Sequence, residues 1–386
     1  MIYIGIDISK YKHDCFIATE TNHVSFSFEN NKLGFDEFLT HTKPFSKSEM
    51  IIGLEATGHY GDNLKSFLLF HGYKFMEINP FLVKKFSDSK SLRKLKTDKK
   101  DAKLISEYMM TVDFKAYHHQ SYHINKLKSL TRYRSRLVSS RTSLYNQVTK
   151  SLDIVFPEYR PFMKEQGYSE LSLYLLGKYT YPLKIKALKQ SHHDTLIKVS
   201  MGKFSYVKFI KLKELASNSI GTHDETQIYL IKENIKLIQT YNNLIKEIES
   251  NIFSIMEKYP TYFQTIKGIG LLSAAIILAE YGDISLFDNP AQMTSFAGLD
   301  SSINQSGTTS STGKLVKRGS KYLRSTLINV CQTVYIYNSI FYDYYTKKKL
   351  EGKHHRVAMT HLAKKLIRII FHLEKNQVSF NQSLLK

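Results

Sequence analysis

The sequence predicts an α/β domain at the N-terminus, followed by mainly α-helical middle and C-terminal regions. Short apolar runs rich in β-branched residues open the chain and soon alternate with helical patterns, the order expected of an α/β domain. From Asp224, isoleucines recur on a heptad frame, which marks a long helix. The C-terminal third adds helical patterns at Leu271–Tyr281 and at residues 355–373.

Met1–Asp7 (Met-Ile-Tyr-Ile-Gly-Ile-Asp) reads as a buried strand ending in a carboxylate. Ile8–Lys12 turns the chain, His13–Thr19 forms a second strand, and Val24–Glu29 alternates like a third. A helix is expected over Leu33–His41. Met50–Glu55 is another buried strand, and it too ends in an acid. Asp62–His71 places Leu64, Phe67 and Leu68 on one helical face, and Tyr73–Ile78 is a further strand closed by Asn79-Pro80. Helical patterning resumes at Phe81 and again over Asp98–Met110.

The acids Asp7, Glu55, Asp98 and Asp101 stand out in this layout. Asp98 and Asp101 are three apart, so on a helix they share a face and their carboxylates converge. Converging carboxylates repel unless a cation lies between them, and an all-oxygen donor set suits Mg²⁺ or Mn²⁺. Nine Lys or Arg lie between Lys84 and Lys103, interrupted only by Asp88, Asp98 and Asp101. A carboxylate-held metal in a basic surround is what phosphodiester chemistry needs. Taken alone, each acid is an ordinary turn residue or part of a solvated face. Three strands giving way to helix–strand alternation, with acids at two strand ends and a paired-acid helix after them, form the layout of a ribonuclease-H-like nuclease.

Charge points the same way. The net charge of +21 over 386 residues favours a polyanionic partner, and nucleic acid is the commonest. A membrane surface is the rival, but the most apolar run, Leu271–Ala279, is far too short to span a bilayer. The start of the chain lacks the pattern of a signal peptide, because Asp7 interrupts its first apolar stretch. Two cysteines, Cys15 and Cys331, build neither a disulfide framework nor a cysteine zinc site and fit a reducing cytoplasm.

Residues 120–156 read as a basic helix broken by Pro157 and Pro161. Residues 162–222 alternate short helical patterns with loops and carry no assignable chemistry. In the long helix from Asp224, Ile228, Ile231, Ile235, Ile238, Asn242, Ile245 and Ile252 keep the heptad frame, with Glu249 and Met256 as weaker members. An Asn in such a seam commonly fixes register. The helix is expected to pair with another across the chain, or with a second copy.

In the last third, Lys267-Gly268-Ile269-Gly270 enters the helix Leu271–Tyr281 as a Gly-x-Gly turn whose backbone N–H groups suit a phosphate, like a helix-hairpin-helix module. The same turn also serves as a structural device between helices. Phe296–Asp300 then leads into a hydroxyl-rich stretch from Ser301 to Gly313, followed by Lys314, Lys317, Arg318, Lys321 and Arg324. No acid occurs between Asp300 and Asp343, and this stretch reads as a phosphate-handling loop joined to a basic helix. A flexible linker has a similar composition.

Taken together, Gly5-Ile6-Asp7-Ile8-Ser9-Lys10, Glu55-Ala56-Thr57-Gly58 with Tyr60, Asn79-Pro80, and Lys96-Thr97-Asp98 with Asp101-Ala102 resemble the DEDD transposases of bacterial insertion sequences, relatives of the Piv and MooV invertases. The resemblance covers residues 1 to about 150 and 224–375. It implies a RuvC-like N-terminal domain holding Mg²⁺ (or Mn²⁺) through Asp7, Glu55, Asp98 and Asp101. Matched from Gly298-Leu299, it places a nucleophilic serine at Ser306, with Ser301, Ser302, Ser310 and Ser311 nearby as alternatives. The implied reaction is attack of Ser306 on a DNA phosphodiester to give a phosphoserine intermediate. Lys10, Lys96, Lys99, Lys267, Gly268, Gly270, Lys314, Lys317, Arg318 and Arg324 are the expected nucleic-acid contacts. The implied partners are double-stranded DNA (element ends or a circular junction, and the target), a bridge-type noncoding RNA, and further copies of the chain in a homodimer assembling to a tetramer. The implied location is the bacterial cytoplasm, with the nucleoid.

The expected domains are residues 1–115, 116–258 with a variable insert near 162–222, and 259–386. Three alternatives stand beside a transposase: a RuvC-like Holliday-junction nuclease using water as nucleophile, a site-specific invertase, and a non-catalytic nucleic-acid-binding protein.

Overall fold

In a computed structural model, the described residues are 1–56, 58–90, 98–114, 122–166, 168–306 and 309–384. The chain divides into two compact units, Met1–His119 and Gln120–Lys386. Among the described residues, no helix is long and apolar enough to cross a membrane.

The first unit contains, in order, β1 (Ile2–Ile8), β2 (Lys12–Ala18), β3 (His23–Glu29), α1 (Lys32–Thr42), β4 (Met50–Glu55), α2 (Asp62–Phe70), β5 (Phe75–Ile78), α3 (Pro80–Lys90) and α4 (Asp98–Met109). The strands form one sheet in the order β3-β2-β1-β4-β5. β1 runs antiparallel to β2 and parallel to β4, and β4 runs parallel to β5. The sequence patterning anticipates every one of these elements to within a few residues at its ends.

The sheet buries both faces, as strand periodicity requires. One face carries Ile2, Ile4, Ile6 and Ile8 of β1 with Met50, Ile52 and Leu54 of β4, packed with Phe38, Leu64 and Leu68 from α1 and α2. On the other face Ile105 and Met109 of α4 pack with Met76, Val83, Tyr3 and Ile51, and Ala102 of α4 packs with Phe16 and Ala18.

The second unit begins with α5 (Tyr122–Val155), followed by α6 (Tyr159–Gln166), α7 (Glu170–Tyr179), α8 (Pro182–Lys186), α9 (Gln190–Val199) and α10 (Tyr206–Ser217). α11 (Glu225–Lys258) returns along α5, and both helices are 34 residues long. A 3-10 turn (Tyr262–Thr265), α12 (Leu271–Tyr281), α13 (Pro290–Phe296), β6 (Ser301–Ser306), β7 (Thr309–Leu315), α14 (Lys321–Tyr337), α15 (Ser339–Leu350) and α16 (His355–Asn376) complete it.

The long helix pair is intrachain and antiparallel: Arg134 pairs with Glu249, Arg141 with Asn242, and Ser151 with Gln227. The heptad frame is the buried seam of α11, with Ile228, Ile231, Ile235, Ile238, Ile245, Ile252 and Met256 all buried. Its two polar members are each met by an arginine from α5. Asn242 therefore aligns two helices of one chain.

The seam spans two cores. Ile228–Ile238 join α6–α10 in one core, whereas Ile245–Met256 join α12–α16 in the other. Helices α6–α10 thus cap one end of the pair and share one core with Val148, Leu152 and Val155 of α5 and Ile228–Ile238 of α11. The expected boundary at 258/259 falls at the end of a helix whose last turns belong to the C-terminal core.

Candidate functional site

Asp7 and Glu55 are placed by register. The Ile6–Leu54 pair joins β1 to β4, and Asp7 and Glu55 each follow by one residue. Alternation puts Asp7 on the face of Gly5, and Glu55 on the face of Gly53. Gly5 and Gly53 are themselves paired, and α4 covers that face. Both acids are half-buried.

Two glycines let α4 come close. A Cβ on Gly5 would lie 2.1 Å from the Ala102 carbonyl oxygen and 2.5 Å from the Ser106 nitrogen. One on Gly53 would lie 1.9 Å from Met109 Sδ. The Ser106 hydroxyl donates to the Tyr3 carbonyl at 3.2 Å. Because Ala102 meets Gly5 while Ser106 bonds back to Tyr3, α4 runs counter to β1. Its N-terminal end, starting at Asp98 and carrying half-buried Asp101, therefore points toward the strand ends that carry Asp7 and Glu55. The side chains of Asp98 and Lys99, and the whole of Lys96, lie outside the described residues. Among the described residues, no three His, Cys, Asp or Glu side chains group as a metal site. The chemistry of the expected set fits Mg²⁺ or Mn²⁺, being carboxylate oxygen throughout. Lys10 is exposed, over the ring of Tyr11 at 4.8 Å.

Sequence reasoning passed over a fifth acid. Asp14 lies directly across from Asp7 in the antiparallel β1–β2 register, hence on the same face. It is buried, accepts a hydrogen bond from Ser27 at 2.5 Å and pairs with Lys12 at 3.4 Å. The signal was available: in His13-Asp14-Cys15-Phe16, alternation about the expected strand puts Asp14 in phase with Phe16, on an inward face.

The hydroxyl-rich stretch is a β-hairpin, and the expectation of a loop is corrected. β6 and β7 pair antiparallel, with Ser306 opposite Thr309 at the end of the ladder and a register irregularity between Ser301 and Ile303. Ser, Thr and Gly composition suggested a loop, but Ile303, Thr309 and Thr312 are β-branched and suit strands. The side chains of Ser306 and Lys314 lie outside the described residues.

The base of the hairpin is fixed by backbone contacts. Val316 N–H donates to the Asp300 carbonyl at 2.9 Å, and Ser320 N–H to that of Phe296 at 3.3 Å. Gly298, at φ +66°, and Gly319, at φ +148°, sit where any Cβ would collide, with Arg324 Nη1 at 2.6 Å and the Phe296 carbonyl oxygen at 2.3 Å respectively. Arg324 donates from Nη1 to the carbonyls of Ala297 and Lys317, at 3.4 and 3.3 Å. That nitrogen of an expected phosphate ligand is engaged in holding the hairpin base. Lys317 and Arg318 are exposed beside it.

The Lys267–Gly270 turn is preceded by a single 3-10 turn, not by the α-helix that a helix-hairpin-helix requires. Gly268, at φ +102°, presses on α14, where a Cβ would lie 2.8 Å from the Val334 nitrogen. Thr333 and Asn338 donate to the carbonyls of Gly268 and Lys267, both at 2.8 Å. Packing on α14 therefore accounts for Gly268. Lys267 and Gly270 are exposed.

A buried carboxylate braces the start of α14. Glu280 of α12 accepts two bonds from Arg132 of α5, at 2.7 and 2.9 Å, and one from the Ser320 hydroxyl at 2.7 Å. Ser320 also caps α14 by accepting from Leu323 N–H. Burial by itself pushes the Glu280 carboxyl up, but the bonds from Arg132 and Ser320 outweigh it and hold the group below its ordinary value.

Two family models match the chain. Residues 4–157 match a DEDD transposase model, and residues 261–346 match the transposase family IS116/IS110/IS902. The second match spans the hairpin with Ser306, Lys317, Arg318 and Arg324. Among known proteins, the pilin gene-inverting protein of Moraxella lacunata is 33% identical over 108 residues, 28% of this chain and 33% of that protein. Its Moraxella bovis counterpart is 37% identical over 109 residues, again 33% of that protein. The chain thus spans about a third of these two relatives. The insertion element IS116 44.8 kDa protein of Streptomyces clavuligerus is 23% identical over 395 residues, 98% of this chain and 96% of that one.

Proposed function

The chain belongs to the IS116/IS110/IS902 family of transposases, and from that premise we propose that it is an enzyme that cuts and rejoins DNA strands to move an insertion sequence. The observation that carries the proposal is the placement of Asp7 and Glu55 on the face that α4 covers, each one residue beyond the Ile6–Leu54 pair. In this reading the first unit is ribonuclease-H-like (RuvC-like), and Asp7, Glu55, Asp98 and Asp101 hold a divalent cation, Mg²⁺ or Mn²⁺. When bound, that cation lowers the pKa of an attacking hydroxyl and offsets charge on the phosphate.

Ser306 is the proposed nucleophile. Its Oγ attacks a DNA phosphorus; the new Ser306 P–O bond forms as one phosphodiester P–O bond breaks, and the departing deoxyribose oxygen leaves as a hydroxyl. The ester conserves the bond energy, so a second strand's hydroxyl displaces the serine without ATP. The β6–β7 hairpin would present Ser306 from a braced base, with exposed Lys317 and Arg318 holding neighbouring phosphates. Lys10, Lys96, Lys99, Lys267, Gly270 and Lys314 are proposed as further backbone contacts. The net charge of +21 supports a large polyanionic load, here DNA with an element-encoded bridge RNA. Joining two duplexes needs several protomers, so a homodimer assembling to a tetramer is the proposed working form.

A second reading draws on the same placement of Asp7 and Glu55, since carboxylates alone suffice for a hydrolytic junction nuclease. Covalent trapping separates the two. Protein, Mg²⁺, element-end DNA and the element's RNA are run on a denaturing gel, wild type beside Ser306→Ala. A protein–DNA band in wild type that is missing from the variant supports the serine reaction. Cleavage without such a band would falsify it in favour of hydrolysis.

A further inference from the structure

The junction of α15 and α16 carries a charge excess that the proposed reaction does not use. Between Asp343 and Glu374 the sequence has eight Lys or Arg and one acid, Glu351. Lys347, Lys348 and Lys349 lie in the last turn of α15, where the helix dipole favours cations. That explanation does not extend to Lys353, in the connection, or to Lys364, inside α16.

Three of these lysines are held together at the junction: Lys353 N–H donates to the Lys348 carbonyl at 3.2 Å, and Lys349 Nζ donates to the Lys353 carbonyl at 3.2 Å. His361 of α16 is part-buried, and after burial itself the charges of Lys348, Lys364 and Lys353 hold its ring below the ordinary value, with Glu351 opposing them. Glu351 is taken by Lys348, at 2.8 Å. Ammonium groups gathered around one imidazole repel each other, and a shared anion relieves that repulsion. The surface is also continuous with the hairpin: Lys364 Nζ donates to the hydroxyl of Ser301, the first residue of β6, at 3.4 Å.

We infer that the α15–α16 junction is a second DNA-binding surface, on which Lys353 and Lys364 grip the sugar–phosphate backbone of the duplex whose strand enters the β6–β7 hairpin. This rests on the reading above for placing DNA at the hairpin. Continuity with Ser301 selects DNA over RNA as the occupant. The two lysines meet phosphates, so they add affinity and orientation without reading sequence.

The test is a salt titration of duplex binding by the full chain. Anisotropy of a labelled element-end duplex is followed between about 50 and 200 mM salt for wild type, Lys353→Ala/Lys364→Ala and Lys353→Arg/Lys364→Arg. The alanine pair should lower the slope of log K against log salt by about 0.9 for each phosphate left without its lysine, close to 2 in all, while the arginine pair keeps the wild-type slope. An unchanged slope in the alanine pair overturns the inference. So does a fall in both pairs alike, or a fall seen with single-stranded RNA but not with the duplex. An adduct in the trapping assay with an unchanged slope removes this surface alone. A reduced slope with no adduct removes the serine reading alone.

Discussion

Gly5 in β1 faces Ala102 in α4 so closely that a Cβ on the glycine would lie 2.1 Å from the Ala102 carbonyl oxygen. The atom it would meet is backbone, so no rotamer change relieves the clash. Gly5→Ala must push α4 off the sheet and carry Asp101 away from Asp7. Overpacking of this kind costs about 1–3 kcal/mol or more. Urea unfolding should report that loss, and trapping of the DNA adduct should fall with it. A Gly5→Ala protein with wild-type stability and yield would show that α4 does not seat on Gly5.

Arg141 and Asn242 share one 2.7 Å hydrogen bond inside the antiparallel helix pair. Removing only Asn242, as Asn242→Leu, leaves the guanidinium facing an apolar seam and should cost about 1–3 kcal/mol. Removing both, as Arg141→Leu with Asn242→Leu, should recover most of that, because neither partner is then stranded. A double-mutant cycle in urea checks it. Additive losses would mean that the pair is not coupled.

The same pair shows where the sequence was legible and where it was not. Strand and helix periodicity is local, so the nine elements among the described residues of the first unit could be read from residues such as Ile4, Ile6, Ile52 and Leu54. The heptad frame of Ile228–Met256 was equally plain. What it packs on was not, because a seam of isoleucines fits a second copy or the same chain equally well. Arg134 and Arg141, seven residues apart like Asn242 and Glu249, were the available clue. At the candidate site, Asp7 and Glu55 were readable as strand-end acids, but Gly5 and Gly53 reveal their purpose only once α4 lies on them. Composition misled at Ser301–Leu315, where strand pairing overrides the loop preference of Ser and Gly. Asp14 was legible only in part: its phase with Phe16 marks an inward acid, but its place opposite Asp7 comes from cross-strand register, which no single strand displays.

Glu280 gives a pH prediction with a definite sign. Its carboxyl is held below the ordinary value in the folded chain, against the push of burial, by Arg132 and Ser320. A lowered folded value means that the stabilisation is fully present above the unfolded value, about 4.3, and is lost as pH falls through the folded one. Glu280→Gln should therefore be less stable than wild type at neutral pH, and the gap should close below about pH 4. Thermal melts from neutral pH down to about pH 3 measure the gap, since the group gains its proton only in the acidic part of that range. A gap that stays constant down to the acid limit would assign the effect to shape rather than charge.

The proposed chemistry needs carboxylates from residues 1–119 and a serine from residues 120–386, and a homodimer allows those to come from different protomers. If they do, Ser306→Ala and Asp98→Ala should each be inactive alone yet complement when mixed. A mixed dimer then has one site with both intact groups and one with neither. Random mixing of equal amounts makes half the dimers mixed, so activity should return to roughly a quarter of wild type under two-fold symmetry. If each site is built within one protomer, every site in the mixture lacks one essential group and no product forms. Two affinity tags, with recovery of doubly tagged protein, establish that mixed dimers are present. No product from such a doubly tagged sample assigns the serine and the carboxylates to the same chain.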